Sequence, residues 1–293
     1  NKSLTDLLES EYNILQKHSQ HITSVSIHKA LEKAKDRLEA IIEKVKNTNK
    51  CESTFTISTP CFPYPSGPRE YQIAAFENWK SNTQKGLFAM ATGTGKTITS
   101  LNCLLEIYKK TGCYKALILV PTITLVEQWE KECAKFNFGN VIKVCSKYSG
   151  WQTSLSNIRM LELSNPDNKQ SYIIISTYAS FIRSDNFIEL NQLPKKKLLL
   201  IADEAHNMGS GRIVKRLNDI KYLRRIGLSA TPERQFDEEG NIRLMDFFGC
   251  DSSYTFEYSM EEAIQKGALC KYYYYPHLVK LTDDEMAEYI ELS

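Results

Sequence analysis

Between residues 85 and 230 the chain alternates short apolar runs with segments of helical period, and that alternation limits the available folds more than any other feature. The runs are residues 87–91, 116–120, 141–144, 172–176, 198–202 and 226–229. They are apolar at successive positions, not at every second one, so both faces of each must be covered. Strands buried on both faces and separated by helices give an α/β domain with a mostly parallel, doubly wound sheet. Such sheets place their ligands at the carboxyl ends of the strands. No run approaches the roughly twenty apolar residues that a membrane span requires, so membrane insertion is not expected.

The first of these strands leads into Ala91-Thr92-Gly93-Thr94-Gly95-Lys96-Thr97, and a helix-compatible stretch, residues 98–110, follows. Gly93 and Gly95 let backbone N–H groups turn inward, and the helix start adds partial positive charge. Lys96 is expected on the β- and γ-phosphates of a nucleoside triphosphate and the Thr97 hydroxyl on Mg²⁺. Thr92 and Thr94 complete the loop. The widest form of this phosphate-loop pattern begins with glycine, where Met90 stands here; a chance glycine turn is the competing explanation.

The fifth run ends in Asp203-Glu204-Ala205-His206. A carboxylate at the tip of a buried strand, downstream of a phosphate loop, is where Mg²⁺ has to be held, which selects Asp203. Glu204 can orient or deprotonate an attacking water. An acidic helix start would give the same letters, because carboxylates suit that end of the dipole; the upstream phosphate loop favours the metal.

These motifs resemble the first RecA-like motor domain of superfamily 2 helicases and translocases, the DEAD/DEAH-box group, over Arg69 to about Pro276. The resemblance implies a RecA-like P-loop NTPase fold, ATP and Mg²⁺ as cofactors, and several further roles. Arg69-Glu70-Tyr71-Gln72 looks like the adenine-reading element, with Arg69 and Gln72 at the base. Pro121, Thr122 and Gln128 lie in a segment similar to motif Ia, and Thr177 and Tyr178 in one similar to motif Ib. In the family these line the track for the nucleic-acid backbone, a sequence-independent mode of contact. Thr122 as a helix cap and Thr177 as a strand-end hydroxyl are the plainer readings. Leu228-Ser229-Ala230-Thr231-Pro232 looks like motif III, so Ser229 and Thr231, with His206, are expected to couple the nucleotide site to the track. Residues 247–249, 258–264 and 267–269 look like the branch holding restriction-enzyme motor subunits and DNA-repair translocases, which implies DNA, chiefly double-stranded, as partner.

Residues 1–50 read as a helical N-terminal extension, from Leu31, Ala34, Leu38, Ile41, Ile42 and Val45 at helical spacing. Residues 51–68 read as a proline-rich linker, because Pro60, Pro63, Pro65 and Pro68 fix φ and remove donors. Residues 69–276 form the ATP-binding domain, and residues 277–293, with Thr282 capping a helix, begin a connection to a second RecA-like lobe. The chain therefore reads as a fragment that binds ATP–Mg²⁺ weakly and hydrolyses it slowly, its arginine fingers lying in that second lobe and any nuclease domain upstream.

The formal net charge of +2 selects no partner. Eight cysteines without a C-x-x-C pair fit a reducing cytoplasm and not a zinc site. Cys103 and Cys133 are expected on helices, Cys113 in a loop and Cys145 in a strand, as buried thiols; an iron–sulfur cluster on these four is the sharper alternative. Lys195, Lys196 and Lys197 read as a solvated loop more than a phosphate contact, and residues 272–275 as a tyrosine-rich final strand more than a base-stacking surface. The sequence thus points to an ATP-driven DNA helicase or translocase motor. A duplex-DNA translocase of a restriction or phage-defence system without strand separation is the second reading, and a nucleotide-gated scaffold module the third.

Overall fold

The computed structural model describes residues 12, 13, 35, 36, 39 and 59–292, apart from 166, 210, 234–236, 272, 274 and 278. The chain divides into two units, Asn1–Thr59 and Pro60–Ser293. In the first, Tyr12 donates a hydrogen bond to Glu39; the apolar residues that carry its helical reading lie outside the described residues.

In the second unit each doubly apolar run becomes a strand: β1 (Lys85–Met90), β2 (Lys115–Val120), β3 (Val141–Val144), β4 (Tyr172–Thr177), β5 (Leu199–Asp203) and β6 (Arg224–Ser229). A seventh, β7 (Phe256–Tyr258), joins them. Among the described residues they form one sheet in the order β3-β4-β2-β5-β6-β1-β7, with every pairing parallel. The helices are α1 (Glu70–Ser81), α2 (Lys96–Thr111), α3 (Ile123–Lys135), α4 (Trp151–Ser164), α5 (Tyr178–Phe181), α6 (Ser184–Asn191), α7 (Gly211–Val214), α8 (Glu238–Phe248), α9 (Met260–Gln265) and α10 (Asp283–Leu292).

Alternation along each strand sends successive side chains to opposite faces, and two cores result. One packs Trp79 of α1, Leu101 and Leu104 of α2 and Trp129 of α3 against Ile118, Ile201 and Leu228. The other packs Leu155 of α4, Phe181 of α5 and Phe248 of α8 against Leu117, Leu119 and Leu200. The doubly wound α/β class expected from the sequence is the fold observed.

Three local expectations change. Residues 60–68 are a linker by composition but part of this unit by contact: the Cys61 N–H bonds the Phe136 carbonyl at 3.0 Å and the Phe62 ring meets Phe136 edge-on at 5.5 Å. Prolines stiffen a chain without detaching it, and the aromatic residues between them give it something to bury. Cys145 falls in a bend just past β3, and Cys113, in its loop, is only half-buried. Tyr273 and Tyr275 are exposed and outside any strand, for strand preference is realised only against neighbours that cover the side chains.

Candidate functional site

The sheet order builds the site. β6 is the one strand between β1 and β5, so the end of β1, carrying the phosphate loop, and the end of β5, carrying Asp203, stand about 10 Å apart, two strand spacings. Between them lies Ser229 at the tip of β6. Lys96 and Asp203 thus face one space across β6, and Lys96 lies near enough for its charge to act on the Asp203 carboxyl.

The loop takes its shape from Gly93 and Gly95, at φ +84° and +81°, a region costly for other residues. Gly95 caps α2. Buried Thr94 turns inward, its hydroxyl donating to the Ala91 carbonyl at 2.6 Å, while Thr92 is exposed and Thr97 half-buried. The Lys96 ammonium reaches the Met90 carbonyl at 3.4 Å, at the strand end.

Beside the loop is a cavity of 290 Å³ lined by Phe62, Tyr64, Arg69, Gln72, Gly95 and Ile98 among others. Gln72 is buried, and its side-chain oxygen accepts the Arg69 N–H at 3.0 Å, closing the first turn of α1. Its amide nitrogen stands 3.5 Å from where a Cβ on Gly95 would lie. Tyr71 bridges the two segments: its hydroxyl donates to the Thr94 carbonyl at 2.6 Å and its ring stacks on Tyr258 at 4.3 Å. Phe62 and Tyr64 escaped sequence reasoning because they sit in the stretch that reads as linker. The signal was there, in aromatic residues placed between prolines.

Asp203 is 7% exposed. Burial raises its pKa above the ordinary carboxyl value; the Trp129 hydrogen bond, the Glu204 backbone N–H and the Lys96 charge oppose that rise. Its oxygens are both engaged, Oδ2 by the Trp129 indole N–H at 2.8 Å and Oδ1 by the Glu204 backbone N–H at 3.1 Å. Glu204 has φ +49°. A left-handed glutamate is a strained backbone held by its surroundings, here by Asn207, whose backbone and side-chain N–H groups both donate to the Glu204 carbonyl. The turn directs the Glu204 carboxylate to within 3.5 Å of His206 Nδ1. The same ring nitrogen lies 3.1 Å from the hydroxyl of Ser229, which accepts the Thr231 N–H at 3.2 Å. His206, Ser229 and Thr231 are therefore joined by hydrogen bonds, with the Glu204 carboxylate beside the imidazole at one end.

The proposed track residues separate. Pro121 is half-buried, and Thr122 and Gln128 are exposed on α3, where Thr122 also caps the helix by accepting the Leu125 N–H at 3.3 Å. Thr177 is buried and caps α5, accepting the Ser180 N–H at 3.2 Å. Tyr178 corrects the sequence reading: its side chain is 5% exposed and its hydroxyl donates to the Asp203 carbonyl at 2.8 Å, so it faces the sheet and not a bound strand.

The described residues hold no cluster of three or more His, Cys, Asp or Glu side chains suited to a metal, and no helix among them is long and apolar enough to cross a membrane.

Comparison with known proteins agrees with this fold. The pattern of the family described as "Type III restriction enzyme, res subunit" matches residues 66–234. The "DNA 3'-5' translocase XPB2" of Sulfurisphaera tokodaii is 30% identical over 224 residues, covering 75% of this chain and 42% of that protein. The "TFIIH basal transcription factor complex helicase/translocase XPB subunit" of Trypanosoma brucei brucei is 27% identical over 194 residues, 60% of this chain and 18% of its own length. Among solved structures, a nuclease-deletion mutant of the Type ISP restriction-modification enzyme LlaGI in complex with a DNA substrate mimic superposes with a TM-score of 0.51 at 25% identity, over 69% of this chain and 20% of that one. The chain thus spans less than half the length of each of these relatives.

Proposed function

We propose, for a chain that belongs to the type III restriction enzyme res-subunit family, that it is the ATP-binding lobe of a DNA-dependent helicase or translocase motor. The observation that carries this reading is the convergence of Lys96 and Asp203 across β6. A glycine-shaped anion cradle and a strand-end carboxylate facing one space suit a triphosphate with its metal. The oxygen donors Thr97 and Asp203 match the preference of Mg²⁺, which when bound neutralises charge on the β- and γ-phosphates.

Within that reading the residues divide the work. The cavity lined by Phe62, Tyr64 and Gln72 takes the adenine, Gln72 offering its amide to the base edge. Lys96 leaves the Met90 carbonyl for the phosphate oxygens, and the backbone N–H groups around Gly93 and Gly95 hold the remaining charge. Glu204 orients the attacking water and accepts its proton, and the His206–Ser229 link passes the state of that carboxylate to the segment after β6. Thr122 and Gln128 on α3 supply contacts to a DNA backbone, without base readout. The name of one relative as a DNA translocase and the DNA-bound neighbour favour DNA, and the resemblance of residues 247–249, 258–264 and 267–269 favours its duplex form. A second RecA-like lobe completes the ATP cleft with arginine fingers, and a nuclease domain belongs to the whole protein in its restriction form.

The test is nucleotide binding by this chain with Mg²⁺, followed by a fluorescent ATP analogue, beside duplex-stimulated ATP turnover by the complete protein. Lys96→Ala is expected to weaken binding by about 10- to 100-fold, the worth of hydrogen bonds to a charged group, and to abolish turnover. Unchanged binding in that variant overturns the assignment.

A further inference from the structure

Resting on the ATP–Mg²⁺ reading above, we propose that Trp129 and Tyr178 are positioning residues that hold Asp203 in its metal-ligating pose and tie that pose to α3 and α5.

Asp203 is gripped from both faces of the sheet. Trp129 belongs to the core on the α2–α3 side and Tyr178 to the core on the opposite side. The indole N–H ends on the Asp203 side chain at 2.8 Å, and the phenol ends on its backbone carbonyl at 2.8 Å. Both donors are buried, at 1% and 5% exposure, so neither bond competes with water. Each carboxylate oxygen has two acceptor sites, and with Oδ1 on the Glu204 N–H and Oδ2 on Trp129 each retains one for a metal or its water. The carboxylate is thereby fixed in rotation while staying competent as a ligand. Loss of a partner of this kind around a ligating group typically costs about 10- to 100-fold in metal affinity.

Neither donor is on the strand that carries Asp203. Trp129 follows Gln128 on α3, one side chain turned into the core and its neighbour turned out to solvent. Tyr178 opens α5 directly after the cap Thr177. Any shift of α3 on a DNA backbone therefore moves a donor bonded to Asp203, and by reciprocity metal loading alters the placement of that helix.

A buried indole seeks any nearby acceptor, so the experiment has to separate positioning from mere packing. Trp129→Phe removes the N–H and keeps an aromatic ring; Tyr178→Phe removes only the hydroxyl. For each, the Mg²⁺ dependence of binding of a fluorescent ATP analogue is measured beside its binding in EDTA and the melting temperature. The expected result is a Mg²⁺ requirement raised about tenfold, with binding in EDTA within twofold of the unaltered chain. An unchanged Mg²⁺ requirement in both variants overturns the proposal. If Trp129→Phe unfolds, the unaltered protein supplies the reading: the Trp129 indole ¹⁵N–H resonance, assigned by site-specific labelling, must shift when Mg²⁺ joins bound nucleotide, and a stationary resonance overturns the proposal. Failure of the broader reading looks different. There the unaltered chain and Lys96→Ala bind nucleotide alike, and Mg²⁺ affects neither.

Discussion

The imidazole of His206 and the hydroxyl of Ser229 meet at 3.1 Å across the gap between the end of β5 and the end of β6. Ser229 is fully buried and His206 half-buried, with Glu204 3.5 Å from the same nitrogen. The strand that follows the acidic turn is thus wired to it by one side-chain hydrogen bond. Ser229→Ala removes that bond, with the one the same hydroxyl accepts from the Thr231 N–H, and very little volume. In the complete protein it is expected to lower DNA-stimulated ATP turnover by about tenfold, the upper worth of such a bond, and to leave nucleotide binding within twofold. Turnover measured with and without duplex decides it; full stimulation in the variant shows that the link carries nothing.

The far end of the sheet offers a control. Lys115, at the start of β2, is 1% exposed and paired with Glu162 of α4, its ammonium also meeting the Asn168 side chain at 3.3 Å. Breaking a buried pair from one side strands a charge and costs about 3–5 kcal/mol, whereas replacing both partners by apolar residues is often neutral. Glu162→Gln is expected to lose about that much in urea unfolding, and Lys115→Met with Glu162→Leu to recover most of it. Nucleotide affinity should hold in the double variant, since Lys115 opens the strand whose other end leads into Thr122.

Alkaline pH should loosen the fold through its thiols. Burial raises Cys103 far above its ordinary value and pushes Cys133 up to about 12. Both groups keep in the folded state a proton that the unfolded chain releases near pH 9, so their stabilisation is complete below that pH and is lost as pH rises toward their folded values. Each steepens the fall by up to about 1.4 kcal/mol per pH unit. Melting temperatures between pH 8 and pH 10 are expected to fall for the unaltered chain and to fall less for Cys133→Ala. Parallel curves would count against the thiols as the cause.

The six strands written as doubly apolar runs were legible because burial on both faces leaves no freedom in composition. β7 was not: Phe256, Glu257 and Tyr258 alternate buried, exposed, buried over three residues, too short for any period to declare itself. Within the site, Lys96, Gln72 and Asp203 were legible as letters in motifs, and so were His206 and Ser229. Trp129 was hidden because a tryptophan at an apolar helical position reads as core, and it is core; its N–H acquires meaning only when β5 lies beside β2. Tyr178 was misread for the same reason. Its place in the chain suggests the track, whereas the direction of its side chain is set by the sheet. Phe62 and Tyr64 were lost to a compositional rule, that prolines mark linkers, which describes the backbone and says nothing of what the rings between them touch.

The position of β6 has a consequence for how such a site comes into being. The strand that joins the phosphate loop to the acidic turn is made after both, more than a hundred residues beyond Lys96 and about twenty beyond Asp203. On a growing chain β1 and β5 have no strand in common until residue 229 has emerged, so the two halves of the proposed nucleotide site lack the element that sets their register until then. On the proposed nucleotide reading, capture is therefore expected only from chains that extend past β6, the site closing in the same step that zips the sheet.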